Sequence, residues 1–172
     1  GTSMIRIASL NYEISQNEFK SQVMDTLYQV ESAYWNLSYT IEDLTSKQKS
    51  LQRAEDLLRE FKIRIEAGTL APIEIYQAEA EVALRTQEVI VAQAAVKEAE
   101  DNLKAALNLY DNEKYWNITL VPTDMPVREK IYPDLNECIQ TALDKRPDFR
   151  EARLNIKATA IQVKYSKNQT LP

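Results

Sequence analysis

Apart from residue 1 the chain contains a single glycine, Gly68, and no proline stands before Pro72. A lone glycine followed four residues later by the first proline is a helix stop and a helix start. Glycine takes the left-handed position that closes a helix without a Cβ clash. Proline fits the first turn of a helix, where its missing N–H has no intrahelical partner. The stretch Phe61–Ile75 is therefore expected to join two long helices packed antiparallel, with residues 68–71 as the turn. A tip so far from both chain ends is a natural place to touch a partner.

The tracts on either side carry seven-residue repeats. Val23, Val30, Leu37, Leu44, Leu51, Leu58 and Ile65 form one line before the glycine. A second runs through Leu27, Tyr34 and Ile41, then shifts by one to Ala54 and Phe61. Two such lines make a coiled-coil seam, and a strict heptad implies left-handed supercoiling. A helix over roughly 10–67 would be about 85 Å long at 1.5 Å per residue. Residues 4–13 stay open between a strand end (Ile5, Ile7) and a helix (Ile7, Leu10, Ile14). Glu55 with Arg59 and Glu60 with Arg64 are i,i+4 pairs that support an exposed helix.

The second helix is expected from Pro72 to about Leu109, with Ile75, Val82, Val89, Val96 and Leu103 as its line. It holds ten alanines, at 71, 78, 80, 83, 92, 94, 95, 99, 105 and 106, against three in the first helix between 14 and 67. Small residues on more than one face suit a helix flanked by neighbours on two sides, although alanine is also simply a good helix former.

After Asn108–Asn112 the pattern changes. Tyr115–Val121 is β-branched and aromatic and stops at Pro122, a short strand candidate. Residues 122–134 hold three prolines and read as an irregular connection. A short amphipathic helix is expected over 135–145, burying Leu135, Ile139, Ala142 and Leu143, with Cys138 beside them as a small buried apolar residue. Pro147 and Asp148 open a last helix to about Asn168, lined by Leu154, Ala158, Ile161 and Tyr165. Four segments follow: a lead-in over 1–13, the hairpin over 14–109 with its tip at 67–72, an equatorial connection over 110–146, and a C-terminal helix over 147–172. Gly1-Thr2-Ser3 reads as an expression remnant, which would make the chain a fragment of a longer protein.

Composition narrows the function classes. The formal charge is −5 and no basic block is present, which disfavours nucleic acid as a partner. Histidine is absent and Cys138 is the one cysteine, so His- or Cys-pair metal sites, catalytic His dyads and an internal disulfide are excluded. No nucleophile–base pair or cofactor loop is present, so neither an enzyme nor a cofactor is expected. No apolar run is long enough to span a membrane as a helix. The Asn-x-Ser/Thr triplets at Asn36, Asn117 and Asn168 are taken as chance.

Three motifs in order carry a resemblance. Ala33-Tyr34-Trp35-Asn36-Leu37, the tip Ile65-Glu66-Ala67-Gly68-Thr69-Leu70 with Ile73-Glu74-Ile75, and Arg146-Pro147-Asp148-Phe149 together resemble the outer-membrane efflux factors, the TolC-like channels. The likeness runs over nearly the whole chain from about residue 8. It implies a mainly α fold: a long antiparallel coiled-coil hairpin, a small mixed equatorial segment and a further C-terminal helix. It also implies a homotrimer whose β-barrel in the outer membrane continues into a periplasmic helical tunnel. Membrane contact would run only through barrel strands that this span lacks.

The resemblance gives the chain the role of a periplasmic tunnel segment in a tripartite efflux or type I export system of a Gram-negative bacterium. Its partners would be a membrane-fusion adaptor and, indirectly, an inner-membrane pump. Gly68, Thr69, Leu70, Ala71 and Pro72 would form the adaptor-docking tip. Glu74 and Gln77 would stand at the pore or gate, with Glu74 facing the lumen or a neighbouring protomer. The competing reading is a non-channel coiled-coil protein such as a membrane-fusion adaptor hairpin, against which the scarcity of glycine counts. An adaptor hairpin should be flanked by β-rich halves with Gly-rich turns.

Overall fold

A computed structural model describes residues 2–111, 113–115, 117–124, 126 and 132–170. Four α-helices follow one another: α1 (Thr2–Glu66), α2 (Glu74–Ala106), α3 (Leu135–Lys145) and α4 (Pro147–Gln169), with 3-10 turns at Leu109–Asp111 and Glu113–Tyr115. None of the described helices is long and apolar enough to cross a membrane. The chain divides into two compact units, residues 29–124 and residues 1–28 with 125–172.

The unit over 29–124 holds the antiparallel hairpin, without residues 14–28 of the expected 14–109 segment and with the chain over 110–124 added. Leu37, Ala99 and Leu103 are buried together, with Val30, Ala33, Tyr34, Ile41, Val96 and Leu120 packed around them. Further along, Lys47 reaches Glu88, and Ala54 lines a shared groove with Glu81 and Arg85. Higher numbers on α1 thus meet lower numbers on α2, which sets the direction. The seam follows the heptad lines: Leu44, Leu51, Leu58, Phe61 and Ile65 are half-buried and Ala54 is buried. On α2 the Ile75–Leu103 line is buried or half-buried, and a second line, Ala78, Arg85, Ala92, Ala99, runs beside it with Arg85 as its one polar member. Of the two expected ion pairs, Arg64 meets Glu60 at 3.3 Å, whereas Arg59 turns to Asp56 at 3.1 Å rather than to Glu55.

The stretch expected as a strand forms none among the described residues. Trp116 lies outside them, and Ile118–Asp124 has no ladder partner. Side chains take up its donors instead. The Leu120 amide donates to Glu100 Oε1 at 3.1 Å. The amides of Thr123 and Asp124 donate to the Tyr34 hydroxyl at 3.1 and 3.0 Å, and that hydroxyl donates to Asp124 Oδ2 at 3.2 Å. Hence this segment does fold back on the hairpin, held by Tyr34 and by Leu120 in the core. Asn108, with φ +52°, takes the left-handed position that ends α2.

In the other unit the first part of α1 pairs with α4. Helix is already formed at Thr2, so the three-and-four spacing of Ile7, Leu10 and Ile14 prevails over the strand alternative. Ile14 and Leu154 are buried, while Leu10, Ala158, Ile161 and Tyr165 are half-buried. Leu10 shares a groove with Ile161, and Asn17 shares another with Arg150, so this pair is antiparallel too. Pro147 opens α4 as expected, and Arg146 clamps Asp148 at 2.6 and 3.1 Å.

Two expectations fail in this unit. Val23 and Leu27, assigned to the seam, are exposed. On α3 the N-cap Asp134 accepts the Glu137 amide at 2.9 Å, and the helix has its expected bounds. Its apolar stripe is not buried, however: Leu135, Ile139 and Leu143 are exposed, only Ala142 is half-buried, and Cys138 is exposed as well. Amphipathic spacing fixed which residues share a side of α3, but no described element covers that side. Leu171 and Pro172, where a proline would suit a change of chain direction, lie outside the described residues.

Candidate functional site

The turn is built by backbone hydrogen bonds around one left-handed residue. The Thr69 amide reaches back to the Arg64 carbonyl at 2.9 Å, and the Gly68 amide to the Ile65 carbonyl at 2.9 Å. With Gly68 at φ +71°, these form the Schellman closure expected of a C-terminal glycine. The Thr69 hydroxyl donates to the same Arg64 carbonyl at 3.0 Å, adding a second donor to that helix-end oxygen. A Cβ placed on Gly68 would meet nothing within 4 Å. Glycine is needed here for its dihedral and not for space.

Regular α2 begins two residues later than Pro72. Glu74, Ile75 and Tyr76 donate to the carbonyls of Ala71, Pro72 and Ile73 at 3.1, 3.3 and 3.2 Å. These three-residue reaches make a tighter 3-10 entry before the α pattern takes over. Proline stands at the head of that entry, where no donor is required of it.

The residues singled out from the sequence sit together at this end of the hairpin. Thr69, Ala71 and Pro72 are exposed and Leu70 is half-buried. Glu74 is half-buried at the start of α2, and Gln77, one turn on, is exposed. Sequence reasoning missed the apolar side chains that accompany them. Ile63 is 60% exposed, Ile73 65% and Tyr76 67%. The signal was available: Ile63 and Tyr76 lie off both heptad lines, so neither helix can bury them in the seam.

A second feature lies midway along the hairpin, where the α1 pattern shifts by one. Lys47 is half-buried between Leu44 and Leu51, and its ammonium lies 3.5 Å from Glu88 Oε2 on α2. Arg85 bridges along α2, 3.0 Å from Glu88 Oε2 and 2.7 Å from Glu81 Oε1. The hydrogen bond from Arg85 holds the Glu88 carboxyl below its ordinary range; partial burial opposes it, and the charges of Arg85 and Lys47 add to it. Hydrogen bonds to Glu88 and Glu81 in turn raise Arg85. A polar layer of this kind within an apolar seam favours one register over its slips.

The first motif also gains a physical account. Leu37 is 1% exposed at the centre of the core, Ala33 packs against that core, and Tyr34 carries the bonds to the 118–124 segment. Trp35 meets the Tyr34 ring edge-on at 5.2 Å. The motif is the point where hairpin and returning chain are joined.

Searches of curated proteins and of solved structures returned no match to this chain. The family model for outer membrane efflux protein matches residues 2–109, more than half of the sequence. The match takes in α1, the turn, α2 and the three residues beyond them, and so includes two of the three motifs. An antiparallel heptad hairpin closed by Gly68, together with this match, places the chain in the outer membrane efflux protein family.

Proposed function

We propose that the chain is the periplasmic tunnel segment of a trimeric outer-membrane channel in a tripartite efflux or type I export system, and that the turn over 67–72 docks the periplasmic adaptor. The observation that carries this is the composition of the tip. A Schellman closure presents Thr69, Ala71 and Pro72 to solvent, with exposed Ile63, Ile73 and Tyr76 near them in the chain. Exposed apolar side chains gathered beside a fixed turn are what a helical partner needs for a packed contact.

The second face of α2 supports assembly with neighbours in the parent channel. Ala80, Ala83, Leu84, Ile90, Val91 and Ala94 are exposed there. Such a face lets another helix approach closely, as a wall of helices requires. Adaptor and, through it, an inner-membrane pump are the partners this reading names, in the envelope of a Gram-negative bacterium.

The test is Leu70→Glu in the full-length protein. Leu70 belongs to no hairpin core cluster, so the helix signal and thermal transition should stay as in the parent. Adaptor cross-linking and efflux should both fall. Unchanged cross-linking together with unchanged efflux would exclude docking at this turn.

A further inference from the structure

Along α4 the positions 150, 153, 157, 160, 164 and 167 recur at alternating three- and four-residue steps, so they form one stripe beside the seam. Arg150, Arg153, Lys157, Lys164 and Lys167 occupy five of the six, and Ala160 the other. The adjoining stripe of α1 runs through Arg6, Ser9, Glu13, Gln16 and Lys20. Two grooves show that these stripes border each other: one is lined by Arg6, Ser9, Leu10, Lys157, Ala160 and Ile161, the other by Glu13, Gln16, Asn17, Lys20 and Arg150. Seven cations thus share a face with one carboxylate, Glu13, in a chain whose overall charge is −5. The opposite flank of α4 (Ala152, Asn155, Thr159, Gln162, Ser166) is uncharged apart from Asp148.

Among the described residues none of the seven makes an ion pair, whereas Arg59, Arg64 and Arg85 each meet a carboxylate. Water can solvate each of these exposed cations, and Arg153 also rests over the Phe149 ring at 5.4 Å. A row of them facing one carboxylate nevertheless makes a positive stripe that attracts a multivalent anionic partner. The groove between Arg6 and Lys157 narrows the choice. It is an open trough of about 450 Å³, and Leu10, Ala160 and Ile161 give it an apolar floor. A nucleic acid or an acidic peptide would satisfy the cations and leave that floor wet. An anionic phospholipid satisfies both, with phosphate at the cations and hydrocarbon in the trough.

We propose that this face of α1 and α4 binds anionic phospholipid, the headgroup phosphates lying along the α4 stripe and an acyl segment entering the Arg6–Lys157 groove. The inference does not depend on adaptor docking, which concerns the other compact unit of the chain. Binding falls off with salt as the surface charges are screened. Each lysine at an anionic surface contributes enough that neutralising two weakens binding roughly 25-fold.

The experiment is flotation of the chain with vesicles of phosphatidylcholine alone or mixed with phosphatidylglycerol. Only the mixed vesicles should carry protein upward, and added salt should release it. The pair Lys157→Gln and Lys164→Gln should weaken binding roughly 25-fold, while the matched pair Lys49→Gln and Lys62→Gln on the hairpin should leave it unchanged. Ala160→Asp, at an exposed position of the groove, should weaken binding more than Ala152→Asp on the uncharged flank. Circular dichroism of each variant confirms retained helix. Three results would overturn the proposal: equal or absent flotation with the two vesicle types; equal loss in both lysine pairs; or displacement by soluble polyphosphate with Ala160→Asp bound as tightly as Ala152→Asp. The third would identify a polyanion site instead.

Discussion

Gly68 and Tyr34 each control the path of the chain through one kind of interaction. At Gly68 the left-handed dihedral is the whole requirement, because a side chain there meets open space. Gly68→Val should lower hairpin stability by about 1–2 kcal/mol, the cost of a left-handed L-residue, read as a lower thermal midpoint. Gly68→Asn should recover much of the loss, since asparagine tolerates that region. A valine variant as stable as the parent would show that the turn reforms with another dihedral. Tyr34 works through its oxygen, which accepts the Thr123 and Asp124 amides. Tyr34→Phe keeps the ring in the core and removes the acceptor, at a cost of about 1 kcal/mol. Amide exchange at Thr123 and Asp124 should quicken while exchange in α2 is unchanged; equal protection in both proteins would mean that the two amides depend on some other acceptor.

Between elements, the polar layer of Lys47, Arg85, Glu88 and Glu81 favours one alignment of α1 and α2 over its slips. Glu88 has a depressed carboxyl in the folded state. Its contribution to stability is therefore complete above the unfolded carboxyl range and is lost as pH falls through the lower, folded value. Glu88→Gln should flatten that part of the acid limb in thermal melts followed from neutral to acid pH, and its neutral midpoint should respond less to added salt. A variant whose acid limb matches the parent's would remove Glu88 from the pH dependence of the hairpin. The one-residue shift in the α1 pattern marked this layer in the sequence, but its ion pairing was legible only once Lys47 and Glu88 were seen opposite each other. Heptad lines, Gly68 and Pro147 gave the hairpin and the α4 start because each is a local backbone or periodicity rule. The same reasoning failed for α3, Val23 and Leu27, since burial depends on a covering element that spacing alone does not supply. Tyr115–Val121 failed for a related cause: β-branched composition suits a strand only where a neighbouring strand offers hydrogen bonds, and here side chains of α1 and α2 take the amides.

At the scale of the assembled channel, Glu74 is the residue whose role depends most on its neighbours. It is half-buried at the start of α2, one residue before the seam position Ile75. A step of one residue turns about 100° around the helix, so Glu74 lies off the seam; in an assembled channel that flank would face a lumen or another protomer. Near a helix N-terminus a carboxylate is favoured in any case, by about 0.5 kcal/mol. A symmetric assembly would repeat it as a ring, and a ring of carboxylates at a constriction attracts cations. Gln77, one turn further on, is exposed and uncharged, so the charge of such a ring would rest on Glu74. We propose that Glu74 sets the cation preference and the resting closure of the parent channel. In single-channel recordings of the full-length protein, Glu74→Gln should lower cation over anion selectivity and raise the open fraction at rest, whereas Gln77→Ala should change neither. Unchanged selectivity and unchanged closure in Glu74→Gln would leave the carboxylate as a helix-terminus charge alone.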